Sequence, residues 1–266
     1  MIRLIVNGAA GRMGRRIVAL ASEDTGIAIA AAFERPDCPD LGKDAGALAG
    51  VDPLGLVVTT RSDVAADVAV DFSHADSALA MIDWCAACGI GIVVGTTGMG
   101  ADGQKRLDAA AKKAPCLLAA NMSLGVNVLL RVVRDVAAAL GDAYDVEIVE
   151  AHHNKKKDAP SGTALALGEA VAAGLGRKLD EVAVHGRHGM VGERTVKEIG
   201  FHAVRAGDIV GDHTIMFGGQ GERVEVRHVA TSRDTFVRGA LRAARFLVGK
   251  PPGRYTMADV LGLAAS

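Results

Sequence analysis

Ile2 to Gly14 reads IRLIVNGAAGRMG, and the fold turns on how that run is parsed. Ile2 to Val6 suits a short, mostly apolar strand. Gly8, Ala9, Ala10, Gly11, Arg12, Met13 and Gly14 follow, leading into a helix with Met13, Ile17, Val18 and Leu20 on its apolar side. A turn of small residues between strand and helix lets the backbone approach a pyrophosphate, whose charge then sits on the helix N-terminus. The spacing is GxxGxxG, not the commoner GxGxxG, because Ala9 and Ala10 occupy the middle. A second strand, Ile27 to Phe33, ends at Glu34, where an acid binds the ribose hydroxyls of a dinucleotide. Arg35 follows at once, and its guanidinium suits a 2′-phosphate in a forked contact. The pair therefore reads as accepting both NADH and NADPH. The plain competing reading is a surface ion pair at a strand end.

The alternation continues outward from there. Strands are expected at 57–60, 68–72, 90–94 and 116–120, with helices from Ala75 to Cys88 and up to Lys113 between them. In an open parallel sheet, ligands bind beyond the carboxyl ends of the strands. Gly95, Thr96 and Thr97 sit at one such end, and Ala119, Ala120, Asn121 and Met122 at another. Both groups read either as facing the nicotinamide half or as ordinary turns. After a helix from Leu124 to Leu140 and another starting at Ser161, the pattern changes. Segments 182–188, 196–204, 209–217 and 222–228 read as four strands in a row, which implies an antiparallel or mixed sheet and a second domain. Thr235 to Val248 is amphipathic and reads as a helix returning to cover the first sheet. The fold class is thus α/β: a Rossmann-type doubly wound parallel sheet plus a smaller α+β domain with a mixed sheet. Residues 1–122 and 233–266 form the dinucleotide-binding domain, and residues 123–232 the substrate-binding one.

Function concentrates in Glu147 to Ala173, EIVEAHHNKKKDAPSGTALALGEAVAA. Ile148 and Val149 among carboxylates suit a strand. His152 and His153 come next, then Lys155, Lys156 and Lys157, too polar and too positive for burial without an anionic partner. Asp158 to Thr163 reads as a turn feeding a helix, with Ser161 as N-cap. The N–H groups of Gly162 and Thr163 then offer an anion site, and histidines beside it suit proton transfer near neutral pH. A lysine run is ordinarily a solvated surface, and a lone histidine is ordinarily structural. Their coincidence ahead of a Ser-Gly-Thr helix start points instead to a site for a carboxylate or phosphate.

Composition narrows the partners. Thirty basic residues against 31 acidic ones give a formal net charge of −1 over 266 residues, so no whole-protein field draws in nucleic acid or an anionic membrane. Aromatic content of 3% argues against stacking surfaces for single strands. No apolar run approaches the roughly 18 residues of a membrane span. The opening run lacks a signal-peptide pattern, so a cytoplasmic location is expected. Among Cys38, Cys85, Cys88 and Cys116, only Cys85 and Cys88 form a CxxC, in a helical stretch without a second pair. They read as core thiols. His185 and His188 lack an acidic or thiol partner at ligand spacing, and no metal is expected.

These residues resemble the dihydrodipicolinate reductase (4-hydroxy-tetrahydrodipicolinate reductase) family of lysine and diaminopimelate biosynthesis. Its signature E-x-H-H-x-x-K-x-D-A-P-S-G-T-A is met by Glu150 through Ala164. GxxGRMG at Gly8 to Gly14, the Glu34-Arg35 pair, GTTG at Gly95 to Gly98 and Asn121 to Ser123 support it, as do RAGDIVGDH at Arg205 to His213 and Ser232-Arg233 with Phe236. Met122 stands where many members carry phenylalanine, and Ala206 where many carry glycine. The resemblance implies NAD(P)H-dependent reduction of the cyclic dicarboxylate 4-hydroxy-tetrahydrodipicolinate, with loss of water. It implies catalytic roles for His152 and Lys156, either of which would deliver the proton. It further implies substrate contacts from His153, Gly162 and Thr163, and a homotetramer assembled through the second domain. Two other readings compete: a different amino-acid or hydroxy-acid dehydrogenase on the same nucleotide fold, and a redox-sensing module that binds NAD(P)H without turnover. The first gives no reason for the His-His-x-x-Lys and Ser-Gly-Thr combination. The second predicts cofactor binding that is indifferent to Lys156.

Overall fold

The opening residues form the strand, turn and helix that their pattern predicts. In the computed structural model, which describes residues 1–263, β1 (Ile2–Asn7) leads to α1 (Arg12–Ser22), then β2 (Ile27–Phe33), α2 (Ala45–Ala49), β3 (Val58–Thr59), β4 (Val68–Asp71) and α3 (Ala75–Cys88). β5 (Gly91–Val94), α4 (Gly100–Ala110) and β6 (Pro115–Leu118) complete the first run. Next come α5 (Leu124–Leu140), β7 (Asp145–His152), α6 (Gly162–Gly174), α7 (Leu179–Val182) and β8 (Ala183–His185). β9 (Ile199–Arg205), β10 (Gly211–Gly218) and β11 (Arg223–Ala230) follow, and α8 (Asp234–Leu247), β12 (Gly253–Tyr255) and α9 (Met257–Leu261) close the chain's described part.

Two units result. One comprises Met1–Leu124 together with the segment from Asp234; the other is Gly125–Arg233. Among the described residues, the first unit holds a seven-stranded sheet in the order β12-β6-β5-β4-β1-β2-β3, parallel throughout. β4 and β5 are buried at every position, as central strands covered on both faces must be. Alternation along β1 sends Leu4 and Val6 into one core with Ile17 and Val18 of α1, while Ile5 joins Met81, Ile82 and Leu107 on the opposite face. α8 packs on the α1 side and buries Val237, Leu241 and Leu247. Each such side chain stabilises by about 1.5–3 kcal/mol, so the returning helix is integral to this sheet.

The second unit is built on a five-stranded mixed sheet, β11-β10-β7-β9-β8. β7, β8 and β9 run parallel, and β10 lies antiparallel to both β7 and β11. α5 and α6 cover one face, where Leu129, Val133, Leu167 and Val171 meet Val146, Ile148, Phe201, Ile215 and Phe217. The sheet's inner face changes chemistry along its length. Val146 and Ile148 of β7 give way to Glu150 and His152, Ile215 of β10 to His213, and Val226 of β11 to His228. Register aligns the change: Glu150 pairs with His213, His213 with His228, and His152 with Arg205.

Three short elements escape the sequence pattern. α2 is held by Asp44, whose carboxylate accepts the Ala47 N–H, and by Gly50 in the left-handed conformation. β12 adds an edge strand beside β6, and α9 starts on a Thr256–Asp259 capping box. The strand expected at 182–188 is three residues long and follows a helical turn, α7, whose first turn carries Asp180 and Glu181. Acids there favour a helix start.

Candidate active site

In the first unit the glycine turn is shaped by close contact. Gly8 has φ +79°, and a Cβ there would meet the Phe72 carbonyl at 2.9 Å. At Gly14 a Cβ would lie 2.0 Å from the Gly8 carbonyl. Gly14→Ala is therefore expected to cost about 1–3 kcal/mol by overpacking, visible as a lowered thermal midpoint; an unchanged midpoint would contradict the packed turn. Gly8 and Ala9 donate their N–H groups to the Phe33 carbonyl, and Ala10 N–H donates to Glu34 Oε1 at 3.0 Å. The acid at the end of β2 thus braces the turn. The Arg35 N–H donates to Glu34 Oε2, but its guanidinium turns away and lies 3.3 Å from Asp37.

Beyond this turn lies a cavity of about 580 Å³ lined by Gly8, Gly11, Arg12, Met13, Glu34 and Arg35 on one side and by Phe72, Ser73 and His74 on the other. The latter three were not singled out by sequence reasoning. A second cavity, about 430 Å³, is lined by Thr96, Thr97, Leu118 and Ala120. The wall beneath them is polar and buried. Asp71, fully buried at the end of β4, accepts from Asn7 Nδ2, Thr96 Oγ1 and Ser73. Burial raises its carboxyl above the ordinary range, against these donors. The Thr96 hydroxyl is thereby committed inward, also accepting the Ser73 N–H. Gly95 abuts the Phe72 ring, Asn121 Oδ1 accepts the Ser123 N–H, and Ala119 packs against the core that holds Met122.

In the second unit, β7 delivers Glu150 and His152 to the polar end of the sheet. Glu150 is 1% exposed. Its Oε2 meets His152 Nδ1 at 2.6 Å, and its Oε1 accepts the Ser161 N–H at 3.0 Å. Arg205 grips both oxygens at 2.8 Å and also donates to the Asp158 carbonyl. One carboxylate therefore joins the end of β7, the start of α6 and the end of β9. Burial works to raise the Glu150 pKa, but Arg205, His152 and the Ser161 N–H outweigh it and hold the carboxyl below its ordinary range.

Ser161 caps α6, its hydroxyl accepting the Ala164 N–H. Gly162 is exposed and Thr163 half-buried at the first turn of that helix. The three lysines diverge: Lys155 and Lys157 are exposed, whereas the Lys156 side chain is 20% exposed and 2.9 Å from Asp158. His153 is half-buried; burial first, then the charges of Arg233, His152, Lys156 and Arg205, depress its imidazole pKa. The geometry thus gathers His152 and the α6 N-terminus around Glu150, and ties the Lys156 loop to them through Arg205 and Asp158. Arg205 and His213 carry structural parts in this cluster that no local spacing announced. The available signals were the family-like stretch from Arg205 to His213, which assigned neither residue a role, and Glu150 itself, an acid on the apolar face of a strand, which demands a cation.

Comparison with known proteins converges on one family. The model for the N-terminus of dihydrodipicolinate reductase matches residues 2–122, and that for its C-terminus matches residues 125–261. The chain is 50% identical over 266 residues to 4-hydroxy-tetrahydrodipicolinate reductase of Anaeromyxobacter dehalogenans, covering 99% of this chain and 98% of that one. It is 48% identical to the enzyme of the same name from Syntrophotalea carbinolica, covering 99% and 100%. Among solved structures, the dipicolinate-bound dihydrodipicolinate reductase from Paenisporosarcina sp. TG-14 shares the fold, with a TM-score of 0.76 at 23% identity, covering 97% of this chain and 98% of that one.

Proposed function

This chain belongs to the dihydrodipicolinate reductase family and is an oxidoreductase; from that premise we propose that it reduces 4-hydroxy-tetrahydrodipicolinate to tetrahydrodipicolinate with NADH or NADPH and loss of water. The observation that carries this reading is the Glu150 cluster, which holds an imidazole beside the N-terminus of a helix and a half-sheltered lysine.

The first unit suits a dinucleotide. Its Gly8–Met13 backbone has the tight turn and helix start that take a pyrophosphate, and Glu34 stands ready for the ribose hydroxyls. Arg35 at the cavity's wall offers a charge for a 2′-phosphate once it exchanges Asp37 for that group. The bound cofactor supplies the hydride. Gly95, Thr97 and Ala119–Met122 then flank the nicotinamide half.

The second unit suits a small dicarboxylate. Gly162 and Thr163 N–H groups with His153 hold one carboxylate, and Lys156 neutralises charge and polarises the ring as it accepts hydride. His152, with Nδ1 engaged by Glu150, has Nε2 for proton exchange with substrate. Per turnover one hydride and one proton enter and one water leaves. A homotetramer is part of the same proposal; it draws support from an outward row of β-sheet residues, Val204, Ala151, Asp212 and Val229, in which both valines are exposed. Among the described residues, no helix is long and apolar enough to cross a membrane.

The test is oxidation of NADH and of NADPH dependent on freshly generated substrate, with pyridine-2,6-dicarboxylate as planar competitor. Turnover with both cofactors and competitive inhibition are expected; no turnover with either ends the proposal. Arg35→Ala is expected to raise the KM for NADPH about tenfold while changing that for NADH less than twofold, as loss of one charge-assisted contact implies. Equal loss for both cofactors would remove the 2′-phosphate role.

A further inference from the structure

His213 lies on β10, directly across the sheet register from Glu150, and is 3% exposed. Its Nε2 is 3.1 Å from Ser161 Oγ. Ser161 is thus clamped from two neighbouring strands: Glu150 on β7 takes its N–H, and His213 on β10 engages its hydroxyl. The same hydroxyl caps α6 by accepting the Ala164 N–H. We infer that His213 is a positioning residue for substrate binding, holding the Ser161 hydroxyl so that the first N–H groups of α6 stay aimed at a substrate carboxylate. The inference rests on the reading of that helix end as the carboxylate site.

The surroundings suit a fixed anchor more than a proton carrier. The His213 ring packs edge-on against His152 at 5.2 Å and beside His228 at 6.3 Å between centroids. Burial, reinforced by those two histidines, pushes the imidazole down to about 4, so it stays neutral where the enzyme works. A neutral, buried ring does not compete with His152 for a proton. It keeps a constant geometry at Ser161 while His152 changes charge.

His213→Leu removes the contact and retains apolar bulk. His213→Gln sets an amide in the position of Nε2, able to donate to or accept from the hydroxyl. His213→Leu is expected to raise the substrate KM and the Kd for pyridine-2,6-dicarboxylate about fivefold each, the scale of one buried hydrogen bond. Changes in kcat and in the Kd for NADH should stay within about twofold, and His213→Gln should recover most of the loss. Ser161→Ala supplies the second arm: combined with His213→Leu it should be no worse than Ser161→Ala alone, because both act through one hydroxyl. An unchanged KM in His213→Leu, multiplying effects in the double variant, or no recovery by glutamine overturns the inference while wild-type turnover stands. If the unaltered chain fails to bind pyridine-2,6-dicarboxylate, the underlying functional reading falls with it.

Discussion

Lys156→Ala is expected to cut turnover about a hundredfold while its neighbours on either side do nothing comparable. Three consecutive lysines have the same charge, but Lys155 and Lys157 point into solvent, and only Lys156 is sheltered, against Asp158. That aspartate is itself mostly exposed, so the pair adds little stability and leaves the sheltered ammonium available for chemistry. A positioned acid or charge partner contributes on the order of 10²–10⁴ in rate. Lys155→Ala and Lys157→Ala should each stay within about twofold, which separates a local role from general loss of positive charge. His152→Ala should fall by a similar hundredfold, since Glu150 keeps Arg205 and Ser161 when the imidazole is gone. If Lys156 and His152 serve one proton transfer, the double variant will lose little beyond either single one. Steady-state rates with unchanged circular dichroism check this; normal turnover in both single variants would refute the assignment.

Glu150→Ala is expected to lower stability by about 3 kcal/mol and to abolish measurable turnover. Removing one member of a buried ion pair strands the other, at a typical 3–5 kcal/mol. The lower end applies because the Arg205 side chain keeps a fifth of its exposure. Ser161 also loses the acceptor for its N–H, so the helix start and the His152 imidazole lose their anchor together. Acid dependence provides an independent check. The folded pKa of Glu150 lies below its ordinary value near 4.5, so its contribution is complete above about 4.5 and is lost as pH falls from there through the lowered folded value. Glu147, on the opposite face, behaves alike: burial opposes, but Arg187, His202 and Arg194 hold it at about 2. Denaturant melts of wild type should therefore weaken between pH 4.5 and 2, and Glu150→Ala should show a shallower decline. Parallel declines would mean that Glu150 is not the group being titrated.

Much of this architecture is legible in the amino-acid sequence. The parallel sheet followed from apolar runs separated by helices, and the boundaries of β2, α3 and α5 fall where periodicity put them. Ser161 was recognisable as an N-cap because a hydroxyl preceded a helical run. The parts that Arg205 and His213 play in the cluster were not, although the two residues delimit a stretch that resembles the family. Arg205 and His213 stand about fifty residues from Glu150 and Ser161, and only strand register brings them alongside. Register is a tertiary property, written in which strands pair and not in any local spacing. Asp71 escaped for a related reason: its partner Asn7 ends β1, and its partner Thr96 lies just past β5. The edge strand β12 and α2 were too short to show a period.

The first unit is assembled from both ends of the chain, and this orders its biogenesis. During translation the ribosome finishes residues 125–233, a continuous stretch with its own core, before α8 and β12 exist. Until then the nascent nucleotide-side sheet lacks the cover for Val68, Val70 and Val93 that α8 provides. The domain begun first is thus completed last, and its uncovered apolar face is where a chaperone would find this protein during synthesis.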